Sequence, residues 1–113
     1  MNAVFVYGEL KNAITKYILF GAWFDILPAV LSRYKYYYED NEDFIIQCRG
    51  HAVTGQLIYL SDVELKTTDI WMGESYKREN VTILSNGKEV KAQAYVVDEA
   101  FVELSKRIEN ANI

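Results

Sequence analysis

Two short stretches bring together residue types that can do chemistry. In the first, the apolar run Ala3-Val4-Phe5-Val6 leads into Tyr7-Gly8-Glu9-Leu10-Lys11. A buried strand that empties into a glycine turn can point successive backbone N–H groups at an anion, a nest for a carboxylate or phosphate. In the second, Asp69-Ile70-Trp71-Met72-Gly73-Glu74-Ser75-Tyr76-Lys77-Arg78 leaves a helix, turns at Gly73 and enters a strand. Aromatic, acidic and basic side chains gathered at a turn beside a barrel mouth are where a pocket is expected. The plainer alternatives are a strand capped by a turn and an ordinary helix-to-strand connection.

The other candidates carry less. His51 has no Cys, Asp or Glu at ligand spacing, so it reads as a surface or hydrogen-bonded histidine and no metal site is expected. Cys48, the one cysteine, sits in an apolar run and reads as a small buried hydrophobe; alone it forms no intramolecular disulfide. Ser61, Ser75, Ser85 and Ser105 have no nucleophile-elbow context. The run Glu39-Asp40-Asn41-Glu42-Asp43 lacks the alternating carboxylates and central glycine of a calcium loop and reads as a solvated turn.

The elements that must position these residues follow from composition and period. A chain of 113 residues, half hydrophobic and a quarter charged, has core enough for one domain, taken as 1–113. Nine tyrosines beside a single proline favour long, regular strands. A net charge of −4 argues against nucleic-acid partners. The absence of a long apolar run argues against a membrane span, so a cytoplasmic protein is expected.

Strands are predicted over 3–7, 22–27 (closed by Pro28), 30–38, 44–49 and 52–59. In 30–38, strict alternation would put Val30, Ser32, Tyr34, Tyr36 and Tyr38 on one face. Gly50 and Gly55 suggest a bulge or close packing. Helical spacing of Ile14, Tyr17, Ile18 and Leu19 predicts a helix over 12–20. Ser61-Asp62-Val63-Glu64 spells a capping box that opens a second helix, running to about Ile70. Alternation on both sides of Asn86-Gly87 predicts a hairpin, and Asp98-Glu99 opens a terminal helix. Six or seven strands with about three peripheral helices make an α+β fold: a small, curved, mostly antiparallel β-barrel.

In this frame the first stretch resembles the V-F-V-Y-G-x-L-K signature of the gamma-glutamyl cyclotransferase-like family, which includes gamma-glutamylamine cyclotransferases. Asp69 to Arg78 is similar to that family's D-x-x-E-G-x-x-Y-x-R segment. Val53-Thr54-Gly55-Gln56-Leu57-Ile58-Tyr59 resembles its V-x-G-x-L-Y strand, and Gln93-Ala94-Tyr95-Val96-Val97 its closing A-x-Y-V strand. The resemblance spans roughly Val4 to Val97 and implies a barrel with surrounding helices and no metal or organic cofactor. It also implies a substrate site built from Tyr7, Gly8, Glu9, Leu10, Met72 and Tyr76. In the family, the loop holds a γ-glutamyl group and a glutamate moves a proton while the freed α-amine closes on the γ-carbonyl, releasing 5-oxoproline. Ring closure is intramolecular, so orientation and one general acid/base suffice.

The sequence departs from that pattern twice. The position of the proton-carrying glutamate holds Met72, a thioether that neither gives nor takes a proton. Glu74, two residues on and about 6–7 Å away in an extended segment, is the displaced candidate. The variable position of the loop, usually a small hydroxyl residue, holds Glu9. A carboxylate about 4 Å from a bound carboxylate costs up to ~4 kcal/mol, less with screening. Either Glu9 points away, or the pocket takes a ligand with a cationic or hydrogen-bond-donating group. Two functions therefore stay open. One is cyclisation of a γ-glutamyl amine or related amide by Glu74 or Glu9. The other is a non-catalytic protein on the same fold that binds a small ligand or a protein partner, with the tyrosines of 34–38 as a candidate interface.

Overall fold

The first apolar run forms a strand, β1 (Asn2–Val6), in the computed structural model, which describes residues 1–12, 15, 19, 21 and 25–98. Its alternate residues serve two cores. Phe5 joins Tyr7, Leu31, Ile45, Leu57, Ile83 and Ala94, whereas Val4 and Val6 join Leu10, Ile58, Leu60, Leu65 and Tyr95. Neighbouring strand residues point to opposite faces, so burial on both faces is why β1 reads as a continuous apolar run.

A 3-10 turn (Gly8–Lys11) follows, then β2 (Leu27–Glu39), β3 (Glu42–Leu60), α1 (Asp62–Met72), β4 (Tyr76–Ser85) and β5 (Lys88–Val97). The strands close into a barrel in the order β1-β3-β2-β4-β5. Every ladder is antiparallel except the closing one, where Val4 faces Gln93 and Phe5 faces Ala94 in parallel. The expected α+β class with a small, mostly antiparallel barrel is therefore what the chain forms. The Phe5 cluster fills the barrel, and the Val4 cluster lies between its wall and α1.

Close approach explains one glycine. A Cβ on Gly55 would run into the Val6 carbonyl oxygen and lie 2.7 Å from Phe5 Cζ, so only glycine lets β3 cross β1 at this height. The local signals also hold. Ser61 Oγ accepts from Glu64 N–H and Glu64 Oε1 accepts from Ser61 N–H, completing the capping box. Asn86 and Gly87 take φ of 51° and 74° between β4 and β5, the turn geometry that a tight hairpin favours.

Several expectations need correction. Among the described residues the barrel has five strands, not six or seven. The runs 44–49 and 52–59 are one strand, because the interruption at Gly50 is a bulge and not an end. Ser32 pairs with Ala52 and Tyr34 with Gln47, so Arg33 faces the stretch from Cys48 to His51. Cys48 in that irregular stretch is half-buried instead of buried. Of the strand expected over 22–27, residues 22–24 lie outside the described residues, Asp25 and Ile26 are in no strand, and Leu27 opens β2. Pro28 is tolerated beside that end, where its missing N–H costs little.

Arg33 takes φ of 69°, and this bulge reverses the alternation of β2. Ala29 and Leu31 therefore share the buried side with Tyr34, and not Val30 and Ser32. Within the acidic run only Asp40 and Asn41 form the turn, both at positive φ, while Glu39 pairs with Glu42 and Asp43 belongs to β3. The helix count also differs: the described residues contain α1 and the 3-10 turn in full. The helix expected over 12–20 lies largely outside the described residues, and the terminal helix beyond Asp98 lies outside them. No helix among the described residues is long and apolar enough to cross a membrane.

Candidate functional site

The 3-10 turn after β1 starts at Gly8, which takes φ of 56° and leaves room beside its Cα that a side chain would fill. That room is occupied by the carboxylate of Asp43, which a Cβ on Gly8 would strike. Glu9 N–H donates to Asp43 Oδ2 at 2.9 Å, and the Tyr36 hydroxyl donates to the same oxygen at 3.2 Å. On the other side, the Tyr76 hydroxyl donates to the Asp43 backbone carbonyl at 2.5 Å. The start of β3 is thus tied to both of the stretches that the sequence singles out.

Beside Asp43 opens a cleft of about 300 Å³, lined by Glu9, Tyr38, Asn41, Glu42, Asp43, Trp71, Met72 and Tyr76. Four of the residues expected from the sequence contribute here: Glu9, Met72 and Tyr76 as lining, and Gly8 through the turn itself. Tyr7 and Leu10 are buried in the two cores, where Tyr7 Oη donates to the Tyr95 carbonyl at 2.6 Å. Glu74 lies exposed on the turn after α1 and is not among the cleft's lining residues. Glu9 borders the cleft while its Oε1 accepts from Thr15 Oγ1 at 2.8 Å. Tyr38, Asn41, Glu42, Asp43 and Trp71 are the lining residues that sequence reasoning did not place in the site.

The rest of the second stretch is a brace. Asp69 on α1 accepts Arg78 Nε at 2.7 Å and Nη2 at 3.1 Å, the two-point geometry of a planar guanidinium on a carboxylate. The Tyr95 hydroxyl donates to the same Asp69 Oδ1 at 2.6 Å, and Arg78 Nη1 donates to Gln93 Oε1 at 2.6 Å. Helix, β4 and β5 are thereby locked together, which fixes the height at which Trp71 and Met72 meet the cleft. Burial first, then the bond to Asp69, pushes the Tyr95 phenol far above its ordinary range. Tyr76 is pushed up to about 12 by burial and then by the carboxylates of Glu42 and Asp43. The cleft therefore carries a negative field on aromatic walls. No group of three or more His, Cys, Asp or Glu among the described residues is arranged to hold a metal ion.

The family described as gamma-glutamyl cyclotransferase, AIG2-like, matches residues 4–112. The chain belongs to that family. Solved structures share the fold. The solution structure of At3g28950.1 from Arabidopsis thaliana is 25% identical with a TM-score of 0.76, over 98% of this chain and 79% of that one. A second Arabidopsis thaliana solution structure, At5g39720.1, is 20% identical with a TM-score of 0.79, over 98% and 84%. A structure named gamma-glutamyl cyclotransferase is 18% identical with a TM-score of 0.73, over 86% of this chain and 66% of that chain. No curated protein matches this chain at a significant level of sequence similarity.

Proposed function

We propose that this member of the gamma-glutamyl cyclotransferase-like family binds a small molecule in the Glu9–Met72–Tyr76 cleft and does not cyclise γ-glutamyl amines. One observation carries the reading: Met72 lines the cleft, at the motif position where the family resemblance implies the proton-carrying glutamate. General acid/base work needs a titratable group within hydrogen-bond reach of the reacting amine, and a thioether is not one. Glu74, the displaced candidate, does not line the cleft. What remains is a half-open, partly aromatic cleft beside a side-chain brace, a concave site of the kind that takes small molecules.

A second reading has one observation in its favour. Glu9 borders the cleft, so a slow cyclisation with Glu9 as the proton carrier is the enzymatic alternative. Thermal-shift screening of a metabolite panel tests the binding reading: stabilisation by at least one compound, lost in Trp71→Ala, is expected. Silence across the panel, or release of 5-oxoproline from a γ-glutamyl amine that stops in Glu9→Gln, overturns it.

A further inference from the structure

The turn after β1 is not free to receive an anion, because it already holds one. Asp43 Oδ2 takes the Glu9 N–H at 2.9 Å and the Tyr36 hydroxyl at 3.2 Å, and its carboxylate fills the space that Gly8 leaves open. A carboxylate from the protein's own strand β3 thus stands where a ligand carboxylate would be cradled. The Asp43 main chain is pinned as well, by the Tyr76 hydroxyl on its carbonyl.

We propose that Asp43 sets the ligand class of the cleft: it closes the anion turn from within and makes the site select a cationic amine carried on an apolar body. The inference rests on the small-molecule reading above. Its grounds are geometric and chemical. The cleft walls present Glu9 and Glu42 besides Asp43, with neither lysine nor arginine among the described lining residues. Tyr38, Trp71 and Tyr76 supply aromatic surface, and ring faces together with carboxylates attract an alkylammonium while disfavouring an anion. The raised pKa of Tyr76, caused after burial by Glu42 and Asp43, reports the same negative field. Met72 offers the adaptable apolar contact that the body of such a ligand needs.

Three probes of one shape separate the charges: phenethylamine, 2-phenylethanol and 3-phenylpropanoate, titrated calorimetrically into the full chain. The wild type should bind the amine at least ~10-fold more tightly than the carboxylate, with the alcohol between, a difference of about 1.4 kcal/mol. Asp43→Asn keeps the shape and removes the charge, and should cut the amine's advantage several-fold. Asp43→Ala opens the turn and should let the carboxylate bind as well as the amine or better. Thermal melts of both variants check that they fold, and Asp43→Asn carries the test alone if Asp43→Ala does not. Equal or tighter binding of the carboxylate by the wild type overturns the proposal, as does an unchanged amine preference in folded Asp43→Asn, or no binding of any probe. Release of 5-oxoproline from a γ-glutamyl amine would instead sink the non-catalytic reading, so the two failures are told apart.

Discussion

Replacing Asp69 by alanine should cost the fold about 3 kcal/mol. The carboxylate holds three donors: Arg78 Nε at 2.7 Å, Arg78 Nη2 at 3.1 Å and the Tyr95 hydroxyl at 2.6 Å. Hydrogen bonds to a charged group are worth about 1.5–3 kcal/mol, and breaking a fully buried ion pair costs about 3–5 kcal/mol. The pair here is not fully buried, with side-chain exposures of 28% for Arg78 and 36% for Asp69, so water compensates part of the Arg78 loss. The Tyr95 hydroxyl belongs to a residue only 2% exposed, and its lost partner is replaced less well. Those terms give about 3 kcal/mol for Asp69→Ala and about half that for Asp69→Asn, which still accepts. For a domain of this size the alanine change lowers Tm by about 12 °C, at roughly 4 °C per kcal/mol. Urea unfolding of the wild type, Asp69→Ala, Tyr95→Phe and the double variant should give a coupling energy near 1 kcal/mol. A loss below about 0.5 kcal/mol for Asp69→Ala, or purely additive variants, would refute the brace.

Two further outcomes follow from the barrel. Gly55→Ala pushes a methyl group into the Val6 carbonyl and the Phe5 ring, so β1 and β3 must part; chemical denaturation should register a loss of about 3 kcal/mol, at the upper end for overpacking, with an unchanged m-value. Tyr7 and Tyr95, both nearly buried, have phenols raised far above the unfolded value near 10, so their contribution is complete below pH 10 and is lost as pH rises beyond it. Each withdraws about 1 kcal/mol between roughly pH 10 and 11, approaching about 1.4 kcal/mol per pH unit beyond, so urea midpoints should fall over this range. The fall should be shallower in Tyr7→Phe, and an alkaline profile that is flat over this range would contradict the burial argument.

How much was legible depended on how local the cause is. The capping box at Ser61, the Asn86-Gly87 hairpin and the doubly buried β1 are dictated by residues a few positions apart, and each stands as read. The faces of β2 were misassigned because one residue in a left-handed conformation, Arg33, reverses the parity of everything after it, and alternation contains no sign of that. The fusion of two short runs into β3 has the same origin, in a bulge that period alone cannot distinguish from a strand end. In the site, Met72, Glu9 and Tyr76 were recognisable through motif resemblance. Asp43 was hidden in an acidic run whose other members do form an exposed turn; its role depends on a donor 34 positions away at Glu9. Pairing Tyr36 and Tyr38 across a tight turn with the residues after Glu42 would have been the available clue, since that register returns Asp43 toward the first strand. Trp71 reaches the cleft from the last turn of α1, which the Asp69–Arg78 pair ties to β4, and Tyr38 reaches it from the end of β2.

The most direct measurement is the release of 5-oxoproline when purified protein is incubated with a panel of γ-glutamyl amines, read against buffer alone. With Met72 lining the cleft at the motif position of the proton carrier, and the anion turn already filled by Asp43, the account requires no product above the uncatalysed rate with any member of the panel. Product that accumulates in proportion to protein, and that is lost on changing a cleft residue, would contradict it.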